Sequence, residues 1–274
     1  MANQDTAVPT ALPSSRTLLL HSLVAALIAS ALMIVVHELA HLVTGLALGH
    51  PGTLYSFGVT HHGDPSAPDQ VVMLLAGPVF SLVTGVLLQI WTPLRHRGGF
   101  AHLVWLWFAF TSVQEAVTYL CLTPFGAGDT GVAARLLGLP VLVQFVVLLL
   151  GVAGMFANAR AFAPHMARHA GTDPHRRNAM TLFPWLYGMI AAVLLSLLYV
   201  TISPADMPAG ARIAVLAAGT GTFVFAPMAH IFARRVQDVP VEPLHLRSVP
   251  VVGLVLLALL VAGNILLSFG VDIG

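Results

Sequence analysis

His37, Glu38 and His41 stand in the run His-Glu-Leu-Ala-His, the spacing with which a helix presents two imidazoles and a carboxylate to one zinc ion. Helical residues four apart lie about 40° apart in azimuth, so both rings face one way and can grip a single metal. Glu38 lies beside them, where a carboxylate can act as base toward an attacking water. A chain with 13 His in 274 positions and so few Glu produces this pattern by chance about 0.007 times, so composition alone is a poor explanation. The setting sharpens the point. From Leu18 to Leu48 the only ionisable residues are His21, His37, Glu38 and His41, and ionisable groups at bilayer depth are costly enough to mark function.

Two imidazoles leave zinc short of the three protein ligands and one open position of a catalytic site. The single cysteine, Cys121, excludes an intrachain disulfide and a Cys-based zinc knuckle. An extended metzincin pattern would need Gly and His where Thr44 and Ala47 stand. The later glutamates, Glu115 and Glu242, fall in mid-span and in a loop on the opposite side. Asp129 is the best candidate for the third ligand. It closes the third apolar span on the same side as His41, and the Pro and Gly of Pro124–Gly131 prevent a regular helix, which lets a carboxylate turn back toward the metal. Glu115, next to Gln114, reads either as an outer acceptor for a ligating imidazole or as a hydrogen bond between helices. Gly77-Pro78 reads either as an opened backbone admitting water or substrate or as a packing kink, with Ser81 one turn further on.

The elements that must position these residues are membrane helices. The chain is 57% hydrophobic and 8% charged, against roughly a quarter charged in soluble domains. This composition predicts an integral, multi-pass, all-α helix bundle in the lipid bilayer. About seven apolar stretches are long enough to span, near 18–48, 70–91, 100–122, 139–163, 182–203, 210–233 and 249–270. Residues 1–16 read as a disordered tail, 17–138 as a three-span core carrying the site, and 139–274 as a further four-span region. An Ala29-Ser30-Ala31 cleavage site is set aside, because the apolar run continues past it. Gly45 and Gly49 are places for the first helix to end. Leu54–Thr60 reads as a short strand or hairpin against the site.

The twelve basic residues are all Arg. Seven spans put Arg135 and Arg212 on one side and the rest on the other, so the N-terminus lies in the cytoplasm and the site faces outward, in a bacterial-type cytoplasmic membrane. No basic patch with interleaved aromatics marks a nucleic-acid partner. His61, His62 and Asp64 read as solvated loop residues before metal carriers, and His21 faces away from His37. His230 and Asn264 read as structural. The cluster His165, His169, His175, Arg176 and Arg177 reads as a solvated loop facing anionic lipid.

These motifs together resemble the site-2 protease family of intramembrane zinc metalloproteases. His37–His41 lies in an early apolar helix; Leu75-Ala76-Gly77-Pro78-Val79-Phe80-Ser81 looks like the family's Ala-Gly-Pro-x-x-Asn segment; and Pro124–Asp129 looks like its Asn-x-x-Pro-x-Pro-x-x-Asp-Gly segment. The likeness covers roughly residues 18–135. It implies a three-helix metalloprotease core with one Zn²⁺ per chain on His37, His41 and Asp129, and Glu38 as general base. It also implies Gly77, Pro78, Ser81 and Pro124 around a substrate cavity, a membrane-embedded peptide or protein as substrate, and a regulatory membrane partner of unknown identity. The chain departs from the family where Ser81, Cys121, Gly126 and Thr130 replace Asn, Asn, Pro and Gly, and in its outward-facing site. The lost asparagines bear on peptide binding more than on metal binding. The expected function is therefore hydrolysis of a peptide bond in or near a membrane span. The alternative is a membrane protein that binds, senses or transports metal, or an inactive protease relative.

Overall fold

A computed structural model describes residues 12–95, 98–207, 212–213, 215–216, 220–233, 236 and 239–274. Residues 1–11 of the expected tail lie outside the described residues. The structure is mostly helical. Helix α1 spans Ser15–Ala47, α2 Ala67–Ile90, α3 Phe100–Leu122, α4 Gly128–Leu136, α5 Val141–Ala170, α6 Pro174–Met180, α7 Leu182–Ile202, α8 Ala229–Ala233 and α9 Val251–Leu267. Among the described residues, four stretches are long and apolar enough to cross a membrane: α1, α2, α5 and the run Pro174–Ile202 through α6 and α7. Their outer faces carry side chains such as Val83, Leu87, Leu142 and Leu149, exposed at 52, 59, 77 and 64%. Such a surface is unsuited to water and suited to lipid, so the chain is a membrane protein.

Local chemistry explains the ends of these helices. The Ser14 hydroxyl caps α1 by accepting from the Thr17 N–H. At the other end Gly49, at φ 85°, turns the chain out, with His50 N–H bonded to Gly45 O and Gly49 N–H to Leu46 O. This is a Schellman stop, which needs the left-handed residue glycine provides. Gly45 therefore does not end α1; it is the spot where His61 packs. Ser66 caps α2 through the Asp69 N–H.

Packing reveals how the helices run. Trp107 of α3 is fully buried and donates to Ser22 of α1 at 2.9 Å, while His37 of α1 meets Glu115 of α3; α1 and α3 are therefore parallel. Gly85 of α2 packs on Val113 and Ser112, and Trp105 donates to Leu88 O, so α2 runs against α3. Asn158 of α5 bonds Phe110 O at 3.0 Å, and Gly151 abuts Cys121, so α5 also runs against α3. The most enclosed helix, α3, thus has α1, α2 and α5 packed around it, and Trp107, Phe110 and Phe162 form the centre of the core.

Three expectations change. Among the described residues, 210–233 is not one continuous helix: the chain turns at 222–225, Phe225 sits at φ 72°, and a 3₁₀ turn (Ala226–Met228) precedes α8. Gly221 and Pro227 explain the break, since neither supports a helix interior. Helix α5 runs seven residues beyond the expected 163. It carries His169 into the core at 0% exposure, because Phe162, Ala163, Met166, Ala167 and Ala170 extend its apolar face. The expected solvated loop there is replaced by packed helix. Third, the helices carry a small sheet. Strands β1 (Gly52–Tyr55) and β2 (Gly58–His61) form the expected hairpin, and β3 (Val271–Ile273), which sequence patterning had not singled out, pairs with the other edge of β1. The Ser56–Ser268 hydroxyl pair at 2.8 Å pins this sheet to the end of α9.

Candidate metal centre

The last turns of α1, the first half of α2, the second half of α3 and the start of α4 meet at one point. His37, Glu38 and His41 are 2, 8 and 7% exposed, while Leu39 and Val43 on the opposite face of α1 are exposed. Asp129 reaches the same point from the first turn of α4. The chain leaves α3 through a 3₁₀ turn at Thr123–Phe125, then passes Gly126 and Gly128 at φ 63° and 64°. Both left-handed positions suit glycine, and a Cβ on Gly128 would press within 2.7 Å of the Tyr119 ring. Thr130 donates to Tyr119 O at 2.6 Å and bonds Thr123 at 2.9 Å. The hydroxyl that departs from the family pattern thus ties the loop back to α3.

Three ligand-type atoms converge. His37 Nε2 and His41 Nε2 are 2.9 Å apart, and each lies 3.2 Å from Asp129 Oδ2. The far sides of the rings fix their proton positions. His41 Nδ1 is 2.7 Å from Met73 O; a carbonyl only accepts, so Nδ1 carries the proton. His37 Nδ1 is 2.8 Å from Glu115 Oε1 and 3.3 Å from Ser81 Oγ, and the carboxylate again takes an N–H. Both Nε2 atoms thus face each other and the Asp129 oxygen, and with both Nε2 atoms unprotonated the three atoms can hold one cation between them. The separations suit one ion. Ligands at the roughly 2.0–2.1 Å zinc distance in a tetrahedron are spaced by about 3.3 Å, close to the observed edges. The Asp129 side chain, 20% exposed, is the accessible part of the triangle. No protein-family model, curated protein or solved structure matches this chain.

The structure brings His37, Glu38, His41, Asp129, Gly77, Ser81 and Glu115 together. Glu115 is an acceptor for a candidate ligand imidazole rather than merely a tie between helices. Glu115→Gln is expected to weaken zinc binding about 10–100-fold while leaving the bundle folded, as a competition titration with a zinc chelator would measure. Gly77 has a packing role that the sequence left open. Helix α2 is continuous over Ala67–Ile90, with Pro78 buried inside it, so of the two readings of Gly77-Pro78 the packing one holds: Pro78 removes a single donor from a helix that continues on both sides. At Gly77 the backbone lies against the ligands, and an added Cβ would fall 2.6 Å from His37 Cε1 and Nε2 and collide with His41 Nε2. Gly77→Ala is expected to displace both rings, cutting zinc content and costing about 1–3 kcal/mol of stability, readable as a lower unfolding temperature. Pro124 sits in the 3₁₀ turn that redirects the chain, and no bond from it to the ligands is seen among the described residues.

Sequence reasoning missed Tyr119. Its ring stacks on His37 at 5.4 Å with a 7° tilt, close enough to Asp129 to interact electrostatically with it. The signal was available, since Tyr119 is one turn beyond Glu115 on the same face of α3. The Met73 carbonyl carries no sequence signal, because any residue supplies one.

Proposed function

We propose that the chain is an intramembrane zinc metalloprotease of the site-2 protease type, hydrolysing a peptide bond in or near a membrane span. The observation that carries this reading is the convergence of two imidazole Nε2 atoms and one carboxylate oxygen with Glu38 beside them. His37, His41 and Asp129 hold one Zn²⁺ per chain, leaving an open position. Zinc bound there supplies Lewis-acid polarisation of the scissile carbonyl and a water acidified toward neutrality. Glu38 is buried next to His37, close enough to interact electrostatically with His41 and Asp129. It takes a proton from the attacking water and returns it to the leaving nitrogen. Glu115, through Oε1, and Ser81 hold the His37 ring, and Met73 O holds His41, so both donors stay aimed at the centre. Only a locally unwound segment can present a peptide bond, because a hydrogen-bonded helix hides it.

In this reading α1, α2 and α3 form the metalloprotease core, and the remaining spans of a seven-span, multi-pass chain enclose it. The Arg distribution sets the N-terminus in the cytoplasm and the site toward the outer side. A regulatory membrane partner would act at that side. A second reading, a metal binder or transporter with no hydrolysis, is favoured by Ser81 and Cys121 standing where the family has asparagine. One experiment separates them. Protein reconstituted in vesicles is given single-span peptides carrying Gly-Pro breaks, and cleavage and zinc flux are followed together. Chelator-sensitive cleavage, restored by zinc, supports the protease. Zinc flux without cleavage supports the transporter. Neither cleavage nor flux, with zinc bound, leaves a binding protein.

A further inference from the structure

A second cluster of charged and titratable groups lies away from the metal centre. His102 is about 20 Å along α3 from Glu115, at roughly 1.5 Å per residue. There the first turn of α3, the last turns of α5, Arg95 after α2, α6 and the segment Pro240–Leu246 come together. His102 is 1% exposed, and among the described residues neither of its ring nitrogens has a hydrogen bond. Its ring meets His169, itself fully buried, edge-on at 5.2 Å. His169 Nδ1 faces Glu242 O at 3.0 Å, so that nitrogen carries the proton. His165, one turn earlier on α5, leaves Nδ1 buried without a bond.

Among the described residues, positive charge is in excess. Arg95 and Arg168 share one carboxylate: Glu242 Oε1 lies 3.6 Å from an Arg95 terminal nitrogen and 3.5 Å from Arg168 Nε, an ion pair without hydrogen-bond geometry, and Arg95 Nε is buried with no hydrogen bond. Arg176 adds a third guanidinium, donating to His169 O at 3.2 Å. Buried donors without acceptors are costly and rare in native proteins. Among the described residues, two guanidiniums and an imidazole meet one carboxylate, an arrangement suited to another anion with several oxygens. The rim is accessible: the Arg95 and Glu242 side chains are 38 and 37% exposed, while Arg168 lies deeper at 11%. Basic pockets between membrane helices, at the end where Arg collects, suit phosphate headgroups.

We infer that this cluster is a binding site for a phosphate-bearing anion, with Arg95 and Arg168 as its charged arms and His102 as its inner donor. The inference is independent of the metal centre. The test uses the full chain in nonionic detergent and follows unfolding temperature against added phosphatidylglycerol, phosphatidylcholine or inorganic phosphate. Phosphatidylglycerol is expected to raise it saturably and phosphatidylcholine not. The half-saturating concentration should increase about tenfold or more in Arg168→Gln and in Arg95→Gln. A rise with inorganic phosphate that shows the same dependence on the two arginines identifies the free ion, rather than a lipid, as sufficient ligand. No rise with either phosphate source, an equal rise with phosphatidylcholine, or a rise unchanged in both variants overturns the inference. If Arg168→Gln fails to elute as a folded species, Arg95→Gln, altered at a half-exposed side chain, decides the matter alone.

Discussion

Asp129→Ala is expected to take the protein from about one bound zinc per chain to almost none. Two imidazoles on one helix cannot complete a site that needs three protein ligands. Asp129 Oδ2 is the atom that closes the triangle, 3.2 Å from both Nε2 atoms. The loss should exceed the 10–100-fold weakening expected when an outer acceptor such as Glu115 is changed. His37→Ala should give the same result from the other side of the triangle. Elemental analysis of the purified variants, with elution volume and helicity as controls for folding, measures it directly. Zinc retained at the wild-type level in Asp129→Ala would mean that the loop after α3 does not supply a ligand.

Glu38→Gln is expected to behave in the opposite way: zinc stays and hydrolysis goes. Glutamine keeps the size of the side chain, and the three ligand atoms come from other residues, so metal content should be unchanged. The amide cannot accept the proton, and loss of a general base typically costs about 10²–10⁴-fold in rate. The pair of variants therefore separates holding the metal from using it. An unchanged cleavage rate in Glu38→Gln would remove Glu38 from the reaction, and loss of zinc would make it part of the metal shell.

Much of the candidate centre was legible because helical spacing fixes relative azimuth. His37 and His41 had to share a face of α1, and Pro and Gly after α3 had to let Asp129 turn back. Glu115 could be named but not assigned, since whether it meets an imidazole or another helix depends on how α1 and α3 rotate against each other. Gly77 needed the same information: its role lies in how closely α2 approaches two rings. His169 was read as part of a solvated loop because charge and histidine content drew attention away from the apolar stripe Phe162, Met166, Ala170 that carries α5 inward. The sheet edge at Val271–Ile273 was illegible because three residues carry too little periodicity to mark a strand. In 210–233, overall apolarity suggested a span while Gly221 and Pro227 carried the break.

The most direct test of the metal centre is X-ray absorption at the zinc edge of the purified wild-type protein. The expected shell holds two imidazole nitrogens and oxygen ligands at about 2.0–2.1 Å, with about one zinc per chain. A protein that binds no zinc after supplementation, or a spectrum without two imidazoles, would contradict a centre built on His37, His41 and Asp129.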